Sequence, residues 1–256
     1  MKRSEILQIV RSMEKYKGKE RFDLIVSYAE NTADEAVARM PAEFFVELLK
    51  RESHDVCKWY EIREIGERGD ASHAEVLFDV LRAADVRFPG GSSLHSIAAG
   101  ALGRIGAAVV PRALELWGEA GEQTRIALID TLGETCCDAA VEALAQSRPF
   151  WSDREFVYGA RAFSKCGTRG NEVLRELYSG LNETRKLCVI DALGYDDAND
   201  GFLRSVLQDE GALLARALGG MTKGMRQLIG RIEARNGVWC DEDAERLAAL
   251  GAPVEP

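Results

Sequence analysis

The chain has 256 residues, of which 46% are hydrophobic and 29% are charged. This balance is ordinary for a globular protein and excludes the collagen-like and disordered classes. No apolar run approaches the ~20 residues of a membrane-spanning helix. The 33 basic and 42 acidic residues leave a net charge of −9. That charge argues against a nucleic-acid binder, because phosphate affinity comes mostly from Lys and Arg.

The first 54 residues predict helices that lack any repeated signature. Apolar residues recur at helical spacing around Val10, Ile25 and Leu48, and Pro41 suits the first turn of a helix. Seven basic residues and three acidic ones lie in the first 21 positions, which gives this segment a charge of +4 and leaves −13 for the rest. We expect the basic first helix to pack back on the acidic body, the alternative being contact with another anionic surface.

From residue 65 onward an apolar residue followed by Gly, once by Ser, recurs at intervals of 37, 30, 31, 30 and 25 residues. A unit of this length holds two helices and two short turns, and because neither helix buries its apolar stripe alone, the units must stack. The glycine is expected to cap its helix in the left-handed conformation and to let neighbouring helices approach closely. The anchors are Ile65-Gly66, Leu102-Gly103, Leu132-Gly133, Phe163-Ser164, Leu193-Gly194 and Leu218-Gly219.

Three stretches combine an Arg, an Ala-Leu-Gly or Thr-Leu-Gly motif and a turn, namely Ala101–Gly106, Arg125–Gly133 and Arg185–Gly194. They resemble HEAT-like repeats, of the short bacterial kind named after phycobilisome lyases. The resemblance implies an all-α fold with almost no β-structure: a right-handed α-solenoid, or superhelix, of stacked antiparallel helix pairs with helical caps. We expect an N-terminal cap over 1–54, repeats over 55–220 and a C-terminal cap over 221–256, in one continuous domain.

The six cysteines form no CxxC motif, and most lie in apolar helical stretches. We interpret them as small buried hydrophobic residues of a reducing compartment. The apolar stretch after Met1 is too short and too interrupted for a signal peptide, so a cytoplasmic protein is expected. No cofactor is predicted. No metal site is predicted either, because His54 and Cys57 would supply only two ligands to a zinc ion that needs three or four.

Three further motifs have both a structural and a functional interpretation. The Gly-Gly-Ser-Ser run within Arg87–Leu94 is either an anion-binding loop or a flexible loop whose Ser92 or Ser93 caps the next helix. Trp117, in register with Val110, Ala113 and Leu114, is predicted to lie in the core. Trp151, followed by Ser, Asp and Arg, either packs between repeats or contacts nucleic acid, as Trp does in HEAT-like alkylpurine DNA glycosylases.

The resemblance places the second helix of each pair on the concave face of the solenoid. Off the apolar stripe these helices are mostly acidic, and a cleft with one predominant charge attracts oppositely charged partners. We therefore predict a non-catalytic protein–protein interaction module or scaffold, of a chaperone or inhibitor kind, that binds a basic protein or peptide. The alternatives are a phycobilin lyase-like subunit and the glycosylase. The candidate binding residues are Glu75, Asp79, Arg112, Glu115, Glu119, Asp138, Glu142, Glu172, Arg175 and Glu176.

Overall fold

The computed structural model describes residues 2–30, 40–89, 91–211, 213 and 245. Within these residues it contains thirteen α-helices, no β-strand and one isolated β-bridge between Arg87 and Ser93. The predicted C-terminal cap lies almost wholly outside the described residues. The helices are α1 (Arg3–Met13), α2 (Gly18–Glu30), α3 (Ala42–Leu49), α4 (Asp55–Arg68), α5 (Ala74–Arg82), α6 (Leu94–Ile105), α7 (Val110–Trp117), α8 (Glu122–Thr135), α9 (Asp138–Ser147), α10 (Asp153–Lys165), α11 (Gly167–Tyr178), α12 (Glu183–Leu193) and α13 (Asp200–Asp209).

Contacts divide the chain into two units, Met1–Ala143 and Leu144–Pro256. In the first unit α2, α4, α6 and α8 stack in succession as one layer. Of the odd-numbered helices, α1 packs on α3, and an ion pair joins α5 to α7. In the second unit α10 packs on both α11 and α12. The all-α arrangement of stacked helix pairs, predicted from the HEAT-like resemblance, is confirmed.

The apolar stripes predicted from the sequence form the core of each unit. In the first unit Val10, Ile25 and Leu48 have no exposed surface. In the second unit Phe156 and Phe163 of α10 are almost completely buried. Each helix therefore contributes one apolar side to a continuous interior, and its charged side remains on the surface.

Anchor glycines allow neighbouring helices to pack closely, as predicted. They do not cap their helices in the left-handed conformation, which was also predicted. A Cβ atom built on Gly66 would lie 2.6 Å from Cα of Ala101 in α6, and one on Gly103 would lie 2.4 Å from Cβ of Glu134 in α8. Helices α4 and α6 run through these glycines and end later. Positive φ is found instead just after α6, at Gly106. The capping prediction was wrong because α4 and α6 extend about half a turn beyond the anchor glycine, and because Gly194, which does end α12, has a φ of −62°.

Two predictions about buried side chains need correction. Leu114 is 39% exposed and Trp117 is half-buried, because α7 buries Val110 and Ala113 on a side that Leu114 does not share. Of the described cysteines only Cys57 is fully buried. Cys136 is exposed, since it ends α8 in the left-handed conformation with φ of 46°.

Over the described residues, no single helix is both long enough and apolar enough to cross a membrane. One pair, Leu94–Ile105 with Ala107–Trp117, meets the length and composition criteria together, but it is bent by 113°.

Candidate functional site

Four of the ten candidate residues, together with Arg82, form one ion-pair cluster on α5 and α7. The Arg112 guanidinium donates to both oxygens of Glu75, each at 3.0 Å, and to Glu115 at 2.9 Å. Arg82 donates to Glu75 at 2.8 Å and also pairs with Asp79. The cluster therefore links the second helices of two successive pairs through side chains that are all at least one-third exposed.

The two arginines neutralise most of the acidic charge within this cluster. The hydrogen bonds from Arg112, and then those from Arg82, hold the pKa of Glu75 below its usual value, so this carboxylate stays ionised well into the acid range. The contacts with Glu75 and Glu115 likewise raise the pKa of Arg112. Three acids against two arginines leave the cluster with a charge of only −1.

Three other candidate acids lie outside this network. Glu119 follows α7, and Asp138 and Glu142 lie on α9, the second helix of the next pair. All three are exposed, and none forms an ion pair within the part of the chain that the structure describes. Leu114, exposed on the α7 surface between Arg112 and Glu119 in sequence, adds an apolar side chain.

The second unit holds the remaining candidates, all on α11. Glu172 and Glu176 are exposed. Arg175 turns toward the next helix pair and donates to the side-chain oxygen of Asn199 at 3.3 Å, while Asn199 itself donates to the carbonyl of Leu193. Arg175 is thus a packing residue of this unit, and Glu172 and Glu176 are the exposed acids of α11.

The basic first helix packs on α3 through its apolar stripe. Ile6, Val10 and Met13 are buried, and α1 lies on α3. Arg21, early in α2, is buried and pairs with Glu52 in the turn after α3. The other basic side chains of this segment point outward, and Arg11, Lys15, Lys17 and Lys19 are exposed without an ion pair among the described residues.

A buried acid on α4 was missed by the sequence analysis. Glu61 has no exposed surface, and neither of its carboxyl oxygens accepts a hydrogen bond in the described part of the chain. Burial, and then the negative charge of Glu52, raise the pKa of Glu61 to about 9. Glu61 is therefore a neutral acid at physiological pH. The available signal was its position one helical turn after Cys57, on the buried side of α4.

His54 and Cys57, three residues apart in the sequence, differ in their exposure. His54 is exposed at the start of α4, whereas Cys57 is buried, and burial raises the pKa of its thiol to about 12. A thiol with so high a pKa is a poor metal ligand at neutral pH. Over the described residues, no group of three or more His, Cys, Asp and Glu side chains is placed to hold a metal ion.

Trp151 and the Arg87–Leu94 loop have the structural roles that the sequence left open. Trp151 is 4% exposed and lies against Gly159, where an added Cβ would meet the indole ring at 1.9 Å. No indole surface is therefore available there to stack on a base.

In the Arg87–Leu94 loop, Ser93 caps α6 by accepting a hydrogen bond from the backbone N–H of Ser96 at 3.2 Å. The backbone N–H groups of Phe88 and Leu94 donate to carbonyls of the same hairpin-like turn.

Comparisons with known proteins give little further guidance. No family model matches the sequence, and no curated protein matches it. Among solved structures the chain is similar to a chain in the complex of CpcE and CpcF of phycocyanin lyase from Nostoc sp. PCC7120. The two are 18% identical, with a TM-score of 0.33 and a match that covers 86% of this chain and 97% of that chain.

Proposed function

We propose that this protein is a non-catalytic protein-binding module that holds a basic segment of a partner on the acidic surface of its second helices. We define the acidic surface as the exposed charged residues of α5, α7 and α9 together with Glu119. The observation that carries the proposal is the set of three exposed carboxylates, Glu119, Asp138 and Glu142, that lack any ion pair within the described residues.

Charge complementarity supports a basic partner. Six acids and two arginines give the acidic surface a charge of −4, and a surface of one predominant sign raises the encounter rate of oppositely charged partners. A partner that pairs with Glu119, Asp138 and Glu142 does not have to displace any internal ion pair. Leu114 offers a contact for an apolar side chain, so a segment with Lys or Arg interspersed with apolar residues suits this surface.

The ion-pair cluster gives this surface a fixed shape before the partner binds. Arg112 and Arg82 hold Glu75 in place between α5 and α7. Side chains that are already ordered lose less entropy on binding, which favours affinity. In this proposal the cluster orders the surface and the three unpaired acids bind the partner.

The test is the binding of a fluorescently labelled oligolysine peptide, measured by anisotropy. The double variant Glu119→Gln/Glu142→Gln should bind about tenfold more weakly than the unchanged protein, since each lost charge pair costs up to about 1 kcal/mol. The matched control is Glu20→Gln/Asp23→Asn, which removes two exposed acids of α2 that form no ion pair among the described residues and do not belong to the acidic surface.

The proposal predicts that the control variant keeps the affinity and that an oligoglutamate peptide does not bind. About 0.5 M salt should weaken the oligolysine complex strongly, because exposed charges are then screened within a few ångströms. Equal losses in the two double variants would show binding to overall negative charge and would overturn the assignment of the acidic surface.

A further inference from the structure

The second unit contains a helix contact that departs from the repeat. In the first unit Gly66 of α4 faces Ala101 of α6, which lies two residues before the next anchor glycine, Gly103. A Cβ atom on Gly66 would come within 2.6 Å of both Cα and Cβ of Ala101. Helices at this spacing have no room for any side chain at the anchor.

Ser164 of α10 stands at the same anchor position in the second unit. It faces Ala192 of α12, which again lies two residues before the next anchor glycine, Gly194. The Ser164 hydroxyl donates to the carbonyl of Ala192 at 2.8 Å. Since the spacing found at Gly66 would exclude even the Cβ of a serine, α10 and α12 must lie farther apart at this level.

A cavity of about 340 Å³ opens beside this contact. Its volume lies at the lower end of the range for small-molecule pockets. The cavity is lined by α10, by the end of α12 and by the turn after α12, through Arg161, Ser164, Lys165, Ala192, Tyr195 and Asp196.

The lining combines an aromatic ring with positive charge. Tyr195 is 39% exposed, so its ring is available to stack on a planar ligand. Arg161 and Lys165 bring two cationic groups, and the Arg161 side chain is 49% exposed with only a loose contact of 3.7 Å to Asp191.

Asp196, the acid in the cavity lining, accepts hydrogen bonds from within the protein. The Asp196 carboxylate accepts from the Asn171 amide at 2.9 Å and from the backbone N–H of Ala198 at 3.0 Å. The proton of the Ser164 hydroxyl is likewise used by Ala192. Both donors to Asp196 are neutral, so Asp196 keeps its negative charge, and together with Arg161 and Lys165 it leaves the lining with a net charge of +1.

We propose that this cavity between α10 and α12 binds a small planar aromatic molecule that carries one anionic group. The ring of the ligand packs against Tyr195, and its anionic group lies near Arg161 and Lys165. The cavity lies on other helices than the acidic surface. A test of ligand binding in the cavity is therefore independent of the proposal that a basic partner binds the acidic surface.

The probe for this site is 1-anilinonaphthalene-8-sulfonate, whose fluorescence rises in an apolar environment. Titration into the full chain should show saturable binding, and the uncharged N-phenyl-1-naphthylamine should bind more weakly. Tyr195→Ser should weaken sulfonate binding about tenfold through the loss of ring contact, and Arg161→Gln up to about fivefold. Both residues are substantially exposed, so the variants should fold, which a circular dichroism melt verifies.

Two control variants make the result specific. Phe150→Ser removes the most exposed large apolar side chain of the described residues, at 78% exposure, and Arg169→Gln removes an exposed arginine outside the cavity. Both should bind the probe like the unchanged protein. Loss of the signal in Phe150→Ser but not in Tyr195→Ser, or equal affinity for the charged and uncharged probes, would overturn the proposal.

Discussion

The Arg112 guanidinium donates two hydrogen bonds of 3.0 Å to the two carboxylate oxygens of Glu75. The two residues are 37 apart in sequence, and the bonds join α7 to α5 of the preceding helix pair. Such bidentate pairs are geometrically specific as well as charged. The contact therefore sets the spacing of the second helices at the surface where we place the partner, and it leaves the acids of α9 outside the network.

A double-mutant cycle at this pair should reveal a coupling that depends on salt. Glu75→Gln and Arg112→Gln should each lower the melting temperature slightly at low ionic strength, and the double variant should lose less than the sum of the two. Because both side chains are exposed, the coupling should vanish near 1 M salt. Melting curves at two salt concentrations measure it, and a coupling that survives high salt would contradict a purely surface role.

Replacing an anchor glycine should be far more costly than replacing a glycine that ends a helix in open space. Gly103→Ala should destabilise the protein by about 1–3 kcal/mol, because its Cβ would meet backbone and Cβ atoms of Glu134 within 3 Å. Gly118→Ala is the control, since nothing lies within 4 Å of its Cβ position and its φ of −63° suits alanine.

Urea unfolding of the two glycine variants gives the comparison directly. The control should match the unchanged protein or gain up to about 1 kcal/mol from the higher helix propensity of alanine. Equal stabilities of the Gly103 and Gly118 variants would mean that close approach is not the reason for the repeated glycine.

The buried Glu61 should make stability depend on pH in a recognisable direction. An unfolded glutamate loses its proton near pH 4.5, whereas folded Glu61 keeps its proton until about pH 9. Within that window the folded state binds more protons than the unfolded state, so the contribution of Glu61 to stability falls as the pH rises. Glu61→Gln removes this dependence, and its advantage over the unchanged protein should grow by roughly 3 kcal/mol from pH 4 to pH 7.

Urea midpoints of the Glu61→Gln variant and the unchanged protein at pH 5, 7 and 9 test this prediction. The relevant quantity is the difference between the two proteins at each pH, which cancels the titration of the other carboxylates. A difference that stays constant across the three pH values would show that Glu61 titrates normally in the folded protein.

Much of the fold follows from periodicity in the sequence. The 30-residue spacing of Leu102-Gly103 and Leu132-Gly133 predicts stacked helix pairs, and the structure shows why: Gly103 permits close contact between α6 and α8. The spacing does not predict which apolar positions face inward in a short helix. Leu114 was therefore misplaced, because the buried side of α7 holds Val110, Ala113 and Leu116, and Leu114 lies beyond its edge.

The site could be predicted only as a set of residue types. The sequence identified Glu75, Arg112 and Glu142 as surface charges of second helices, but it did not distinguish paired from unpaired acids. Pairing depends on distances between helices that lie more than 30 residues apart, which no local pattern encodes. Burial of Glu61 and the wider spacing at Ser164 depend on tertiary packing in the same way.

Zero-length cross-linking shows which carboxylates a basic segment contacts, because a carbodiimide joins only carboxylates and amines that are already in contact. Oligolysine would be coupled to the unchanged protein at low salt, and the modified residues would be identified by mass spectrometry. If the acidic surface binds the basic segment, the cross-links will be concentrated at Glu119, Asp138 and Glu142. Cross-links found mainly at Glu20 and Asp23, or spread evenly over the exposed acids, would contradict binding at the acidic surface.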